Sequence, residues 1–371
     1  MSKSLDVFAL RDAVVDEYRK FATSFTTIYA ADIRAQVDAI YAEGRFWPDP
    51  LIQINPHYKR DRDLSSLIAD GALDSRTAEV FQVDGAPLSL YRHQMEAVSL
   101  AAHGQSFVVT TGTGSGKSLC FFIPIVNTVL TERRRSLPRR TRAIVIYPMN
   151  ALANSQLEEL AKFVGNLRGE PSVTYARYTG QESTEERRQI ADNPPDILLT
   201  NFMMLELLMT RQDDIDRQVM ANCEGLRYLV LDELHTYRGR QGADVALLVR
   251  RVQERLAPQA LQCIGTSATM ASEGSLSHKN QAVARVASRL FAVDIPESNV
   301  IVESLERVTD VDQTADSVRY SLGATIDDGI GHGLSDADLS QHPLAIWIET
   351  RLGIAWSDED QRWIRAQPCT L

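Results

Sequence analysis

The stretch TTGTGSGKS, residues 110–118, gathers three glycines, a lysine and two serines. A loop of this kind can hold a phosphate chain. Gly112, Gly114 and Gly116 let backbone N–H groups approach an anion closely, and a helix starting after the loop aims its N-terminus at the same charge. Thr113, Gly114, Ser115 and Gly116 would line a triphosphate. Lys117 would reach the β- and γ-phosphates, and Ser118 would place its hydroxyl on a magnesium ion. The general motif opens with glycine, whereas Thr111 stands there in this chain. The bland alternative is a Gly-rich turn with an incidental lysine. The apolar run before the loop and the complete Gly-Lys-Ser ending argue against it.

A second segment, YLVLDELHTYRG (228–239), ends an apolar run in two adjacent carboxylates, Asp232 and Glu233. Taken alone, these are acids where a strand surfaces. With a phosphate cradle in the same chain they acquire distinct roles. Phosphoryl transfer to water needs one carboxylate near the metal and one to activate the water. Asp232 would hold Mg²⁺ through its water shell and Glu233 would orient and polarise the attacking water. The expected catalytic set is Lys117, Asp232 and Glu233, the metal set is Ser118 and Asp232, and the cofactors are ATP and Mg²⁺.

Residues 90–292 contain the elements that must position these groups. Short apolar runs at 106–111, 142–148, 172–178, 196–200, 226–233 and 260–268 read as strands. Amphipathic segments at about 116–130, 150–164, 184–192, 202–211, 241–257 and 278–291 read as helices. Strand and helix in alternation predict an α/β fold, a parallel sheet covered by helices on both faces, with its ligands at the carboxyl ends of the strands. Residues 5–45 carry helical periodicity and stop at GRFWPDP. Residues 48–63 read as extended, and residues 64–83 as short helix and loop. The expected division is a helical accessory region (1–85), an ATP-binding lobe (86–292) and an acidic connector or insertion (293–371). Pro124 should kink the helix after the phosphate loop or sit in its first turn.

The order of these motifs resembles the superfamily-two DEAD/DEAH-box helicases, whose lobes are RecA-like P-loop sheets. YRHQ (91–94) is similar to their adenine-reading motif: Tyr91 would stack on the base and Gln94 would bond its edge. YPMNALANSQLEEL (147–160) resembles motif Ia, which implies phosphate contacts by Pro148, Asn150, Ala151 and Gln156. YTGQ (178–181) and LLTNFMMLELLM (198–209) resemble the next strand-tracking motifs, adding Gly180, Thr200 and Asn201. Asn201 could instead simply cap the following helix. TSATM (266–270) is similar to motif III, in which Ser267 and Thr269 couple the two sites, and His235 could bond those hydroxyls. Tyr237 and Arg238, just past the acids, could meet nucleotide or pack the loop. A narrower resemblance, in DELHTYRGRQGADVALLVRRV, YPMNALANSQ and GRFWPDPLIQINP, is to large bacterial helicases with a cysteine-rich C-terminal domain, of the mitomycin-repair type and its phage-defence relatives. It implies DNA and 3′-to-5′ movement. The alternatives are an RNA helicase or a nucleotide-dependent docking module without turnover.

The totals constrain this reading. The net charge of −10 counts against nucleic acid at first, but residues 91–290 hold 24 Lys and Arg against 20 Asp and Glu, while residues 291–371 hold 5 against 15. A positive face within the ATP-binding lobe is therefore compatible with the total. The basic run RRRSLPRRTR (133–142) reads mainly as a solvated loop. No run of about 18 apolar residues predicts a membrane span. The four cysteines are far apart, as expected of reduced thiols in a cytoplasmic protein. A motor of this family needs a second lobe with an arginine finger. No QxxGRxGR-type motif follows residue 270, so the second lobe is expected later in the full-length protein or in trans.

Overall fold

Alternating apolar runs become strands buried on both faces. The structure, a computed structural model, describes residues 6–25, 27–43, 50–169, 172–257, 261–268, 275–328 and 334–370. By packing, the chain divides into two compact units: residues 58–306 with 358–362, and residues 1–57, 307–357 and 363–371. This groups residues by contact, whereas the sequence division at 85 and 292 grouped them by pattern.

In the larger unit, seven strands form one sheet: β1 (Phe107–Thr110), β2 (Ala143–Tyr147), β3 (Tyr175–Tyr178), β4 (Ile197–Asn201), β5 (Tyr228–Leu231), β6 (Gln262–Ser267) and β7 (Val300–Val302). Their order is β7-β1-β6-β5-β2-β4-β3, and every pairing is parallel. Eight helices cover the sheet: α1 (Arg92–Ala102), α2 (Leu119–Arg134), α3 (Asn150–Val164), α4 (Thr184–Asp192), α5 (Phe202–Thr210), α6 (Asp214–Asn222), α7 (Gly239–Leu256) and α8 (Leu276–Phe291).

Successive strand residues point to opposite faces, and two cores form accordingly. Phe107, Val109, Val145, Leu199, Val230 and Ile264 pack with α1, α2 and α3. Val108, Ile144, Ile146, Leu198, Leu229 and Cys263 pack with α4 to α8. Apolar side chains surround α2, where Phe121, Phe122, Ile123 and Ile125 are all buried. Each such side chain contributes about 1.5–3 kcal/mol by leaving water. Pro124 sits in the second turn of α2 rather than the first, so the Cys120 carbonyl loses its helical donor.

All six strands and six helices read from the sequence are present, with ends shifted by a few residues. Three of the seven strands and eight helices named above were not foreseen. The helix α1 begins inside the YRHQ motif, β7 is too short for alternation to show, and α6 begins with acids. Asp216 of α6 is fully buried, paired with Arg187 at 2.7 Å and hydrogen-bonded by the Tyr178 hydroxyl, which ties α6 to α4 and β3.

In the smaller unit, helices Val7–Thr23 and Ala31–Ala42 carry no buried residue. The Asp6 carboxylate caps the first by accepting from the Phe8 and Ala9 amides at 3.0 and 3.1 Å. Leu51–Ile52 pairs antiparallel with Cys369–Thr370. The acidic tail forms helices Arg319–Asp328, Asp336–Gln341 and Pro343–Ile348. GRFWPDP falls largely outside the described residues. Among the described residues, no helix is long and apolar enough to cross a membrane, and all four cysteines are free.

Candidate functional site

The phosphate loop leaves the tip of β1 and enters α2 at Ser118. Gly114 and Gly116 have φ of +77° and +68°, a region that side chains rarely adopt. A Cβ on Gly116 would also stand 2.7 Å from Gln94 Nε2. Thr111, in the place of the usual glycine, is buried, and its hydroxyl bonds that of Ser115 at 2.6 Å across the loop. Lys117 Nζ donates to the Thr111 carbonyl at 3.1 Å, which holds the ammonium over the loop. The Gly112 N–H donates to Glu303 at 3.0 Å, a residue from beyond β7 that sequence reasoning missed.

The floor of this loop comes from α1. Gln94 Nε2 donates to the Ser115 and Gly116 carbonyls at 3.4 and 3.1 Å, and its Oε1 accepts the Tyr91 N–H at 2.9 Å. The carboxamide expected to read an adenine edge is therefore bonded at both ends within the protein. His93 Nε2 bonds the Ser115 carbonyl at 2.9 Å, and burial pushes its imidazole pKa down. The Tyr91 ring stacks on His93 at 5.6 Å and meets Tyr58 at 5.3 Å.

Asp232 and Glu233 follow the tip of β5. In the sheet, only β6 separates β5 from β1. Burial raises the Asp232 pKa, and a hydrogen bond from the Thr266 hydroxyl opposes the rise. Thr266 Oγ1 also accepts the Glu233 N–H at 3.2 Å. Glu233 has φ of +52°, a strained conformation for a residue with a side chain. Its Oε2 is buried without a hydrogen-bond donor; His235 Nδ1 lies 3.2 Å away, at ion-pair distance only. His235 Nδ1 also bonds Ser267 Oγ at 3.2 Å, as expected of a link to the third motif. Thr269 lies outside the described residues. Gly265 makes this region possible, because a Cβ there would meet Leu234 Cδ1 at 2.4 Å.

These groups suit a metal that arrives with its own oxygen ligands. Among the described residues, no cluster of three His, Cys, Asp or Glu could hold an ion alone. Magnesium bound to a triphosphate needs only one or two protein carboxylates. Asp232, the Ser118 hydroxyl and the donorless Glu233 oxygen match that requirement.

The other expected contacts stand at the tips of β2, β4 and β3, which are adjacent in the sheet. Pro148 and Asn150 follow β2, and Ala151 is exposed in the first turn of α3. Gln156, one turn further on, has a buried Oε1 without a donor. Asn201 caps α5 by accepting the Met204 N–H at 2.7 Å, and its Nδ2 donates to Asn150 Oδ1 at 2.7 Å. Thr200 is fully buried and donates to the Tyr178 carbonyl at 2.6 Å. Gly180 has φ of +89°. Its N–H and that of Thr179 donate to the Glu182 carboxylate at 2.9 and 2.7 Å. Burial pushes the Glu182 pKa up, but these donors and Arg177 outweigh it and hold the group below the usual range.

The basic run leads into the amino end of β2, away from both clusters. Arg133 pairs with Asp196, Arg134 with Asp74 and Arg142 with Glu132. Tyr237 is buried and Arg238 is exposed at the start of α7.

Residues 91–275 match the family model for DEAD/DEAH box helicases. The chain is 28% identical over 228 residues to the uncharacterized ATP-dependent helicase YprA of Bacillus subtilis, covering 61% of this chain and 29% of YprA. It is 26% identical over 336 residues to the Druantia protein DruE of Escherichia coli, covering 60% of this chain and 18% of DruE. The chain thus spans less than a third of the length of either relative. A crystal structure of the DUF1998 helicase MrfA bound to DNA and AMPPNP matches with a TM-score of 0.52 at 20% identity, over 83% of this chain and 43% of that one. That likeness shows the RecA-like fold. Residues 91–275 are a DEAD/DEAH box helicase domain.

Proposed function

We propose that the chain binds Mg–ATP at the tips of β1 and β5, tracks a nucleic-acid backbone at the tips of β2, β4 and β3, and acts as the first motor lobe of an ATP-dependent DNA helicase or translocase. One observation carries this reading: the phosphate loop and the acidic pair flank β6, and Thr266 of β6 bonds both acids. Two strand spacings are about 10 Å, a breadth that a metal-bound triphosphate can bridge.

In this reading, Lys117 and the amides of residues 113–118 bind the phosphates. Ser118 and Asp232 hold Mg²⁺, Asp232 through water. Bound Mg²⁺ supplies charge that neutralises the phosphate oxygens. Glu233 accepts a hydrogen bond from a water and aims it at the γ-phosphorus, in line with the bond that breaks to release ADP. Asn150, Ala151, Gln156, Gly180 and Asn201 present neutral groups and backbone to phosphates. Such contacts hold a strand without reading its bases. DNA as the strand, and a setting in repair or phage defence, rest on the motif resemblance; MrfA, similar in fold, is itself bound to DNA.

An arginine finger contributes about 10³–10⁵ in rate, so binding is the direct readout for this chain. Calorimetry should show heat of binding for magnesium and a non-hydrolysable ATP analogue, lost in Lys117→Ala. Absence of heat in the unaltered chain would refute the nucleotide site. Competition between matched single-stranded DNA and RNA should favour DNA; preference for RNA would reassign the strand.

A further inference from the structure

Thr266 is fully buried at the penultimate position of β6. In the ladder, Gly265 pairs with Leu231, so Thr266 stands beside the first residue past the tip of β5. Its hydroxyl can donate one hydrogen bond and accept others. It donates to Asp232 Oδ1 and accepts the Glu233 N–H at 3.2 Å. One oxygen therefore fixes the carboxylate of one acid and the backbone of the other. Glu233 needs such a hold, since its φ of +52° is disfavoured for a residue with a Cβ. Valine would fill nearly the same space and make neither bond; serine would make both.

We propose that Thr266 is a positioning residue that presets Asp232 toward Mg²⁺ and holds the Glu233 turn. This rests on the nucleotide reading above. A group that shapes the metal-facing carboxylate should change how strongly magnesium promotes nucleotide binding, and should leave metal-free binding alone. A residue that merely packs β6 should weaken both equally.

The test uses the 371-residue chain, a fluorescent ATP analogue, and a magnesium titration alongside a parallel measurement in EDTA. Thr266→Val should need about 10-fold more Mg²⁺ for half-maximal binding, the loss expected for a hydrogen bond to a charged group. Thr266→Ser should stay within about 3-fold of the parent, because its hydroxyl keeps the bond. In EDTA, all three should bind alike. A Thr266→Val titration that overlays the parent overturns the proposal, and so does an equal loss with and without metal. If Thr266→Val does not fold, Thr266→Ala is judged by the same criteria. Lys117→Ala separates the two readings. If it abolishes binding while Thr266→Val is silent, the nucleotide site stands and Thr266 loses its role. If the unaltered chain does not bind, both fall.

Discussion

The two halves of the sheet's carboxyl edge are built from different materials. At β1, β6 and β5 charged groups dominate, Lys117, Asp232 and Glu233 are each partly buried, and three residues sit on strained or glycine-dependent backbone: Gly114, Gly116 and Glu233. At β2, β4 and β3 the side chains offered are neutral amides, held by one another and by a helix cap, beside a Gly180 turn tied to the Glu182 carboxylate. The contrast matches the two tasks. Phosphoryl transfer needs charge fixed in place before the reaction. Sliding along a backbone of any sequence needs donors and acceptors that bind no phosphate too firmly.

The sharpest way to break this comparison is at the charged half. Lys117→Ala should take Mg-nucleotide binding below calorimetric detection, a loss of about 100-fold or more for removing a charged partner of the phosphates. Single-stranded DNA binding without nucleotide should change by less than about 2-fold if the halves are independent. Calorimetry with each ligand separates them. A comparable loss of DNA affinity would show that one electrostatic field serves both halves.

Gly265→Ala should have the next largest effect, this time on stability. The added methyl would overlap Leu234 Cδ1 at 2.4 Å and lie 3.0 Å from Cγ, inside the sheet. Overpacking of this kind costs about 1–3 kcal/mol, visible as a lower thermal midpoint. Leu234 directly follows Glu233, so nucleotide binding should suffer more than DNA binding. Equal losses would mean that the strain spreads through the whole edge.

The sequence showed these halves unequally. The charged half was legible almost completely, because the phosphate loop and the acidic pair have residue types with few other uses at that spacing. Thr266 and Glu303 escaped because a buried threonine and a remote glutamate carry no local signal; only the strand order brings them to Asp232 and Gly112. The neutral half was legible in position but not in side-chain use. Asn201 and Thr200 were expected at phosphates, yet the first caps a helix and the second faces inward. Gln94 shows the same limit, since spacing marked it while both ends of its amide bond the protein. The helix Val7–Thr23 and α2 are similar in length and both were foreseen, but one carries no buried residue and the other nine. Apolar spacing predicts a helix; burial also requires a partner surface.

At the neutral half, Asn201 allows a cleaner separation. Asn201→Ala removes the α5 cap and should cost about 0.5–2 kcal/mol. Asn201→Asp keeps an acceptor for the Met204 N–H, but loses the donor to Asn150 and adds a negative charge. It should therefore retain most of the stability and still bind single-stranded DNA several-fold less tightly, the more so at low salt. Strand affinity that tracks stability across both variants would reduce Asn201 to its cap.

The smallest effect tests whether a buried hydroxyl belongs to the interface at all. Thr200 is the penultimate residue of β4, among residues proposed to track the strand, yet its Oγ1 donates to the Tyr178 carbonyl of β3. Valine suits a strand as well as threonine does, so Thr200→Val should cost only that hydrogen bond, about 0.5–1.5 kcal/mol. Because the hydroxyl is already engaged inside the sheet, affinity for single-stranded DNA should stay within about 2-fold of the parent at every salt concentration, apart from any unfolded fraction. Thermal melting and fluorescence anisotropy on the same samples check the two halves of this expectation. A normal melting temperature with weakened binding would mean that Thr200 turns outward when a strand arrives. The neutral half would then be remodelled by its ligand, while the charged half is already set.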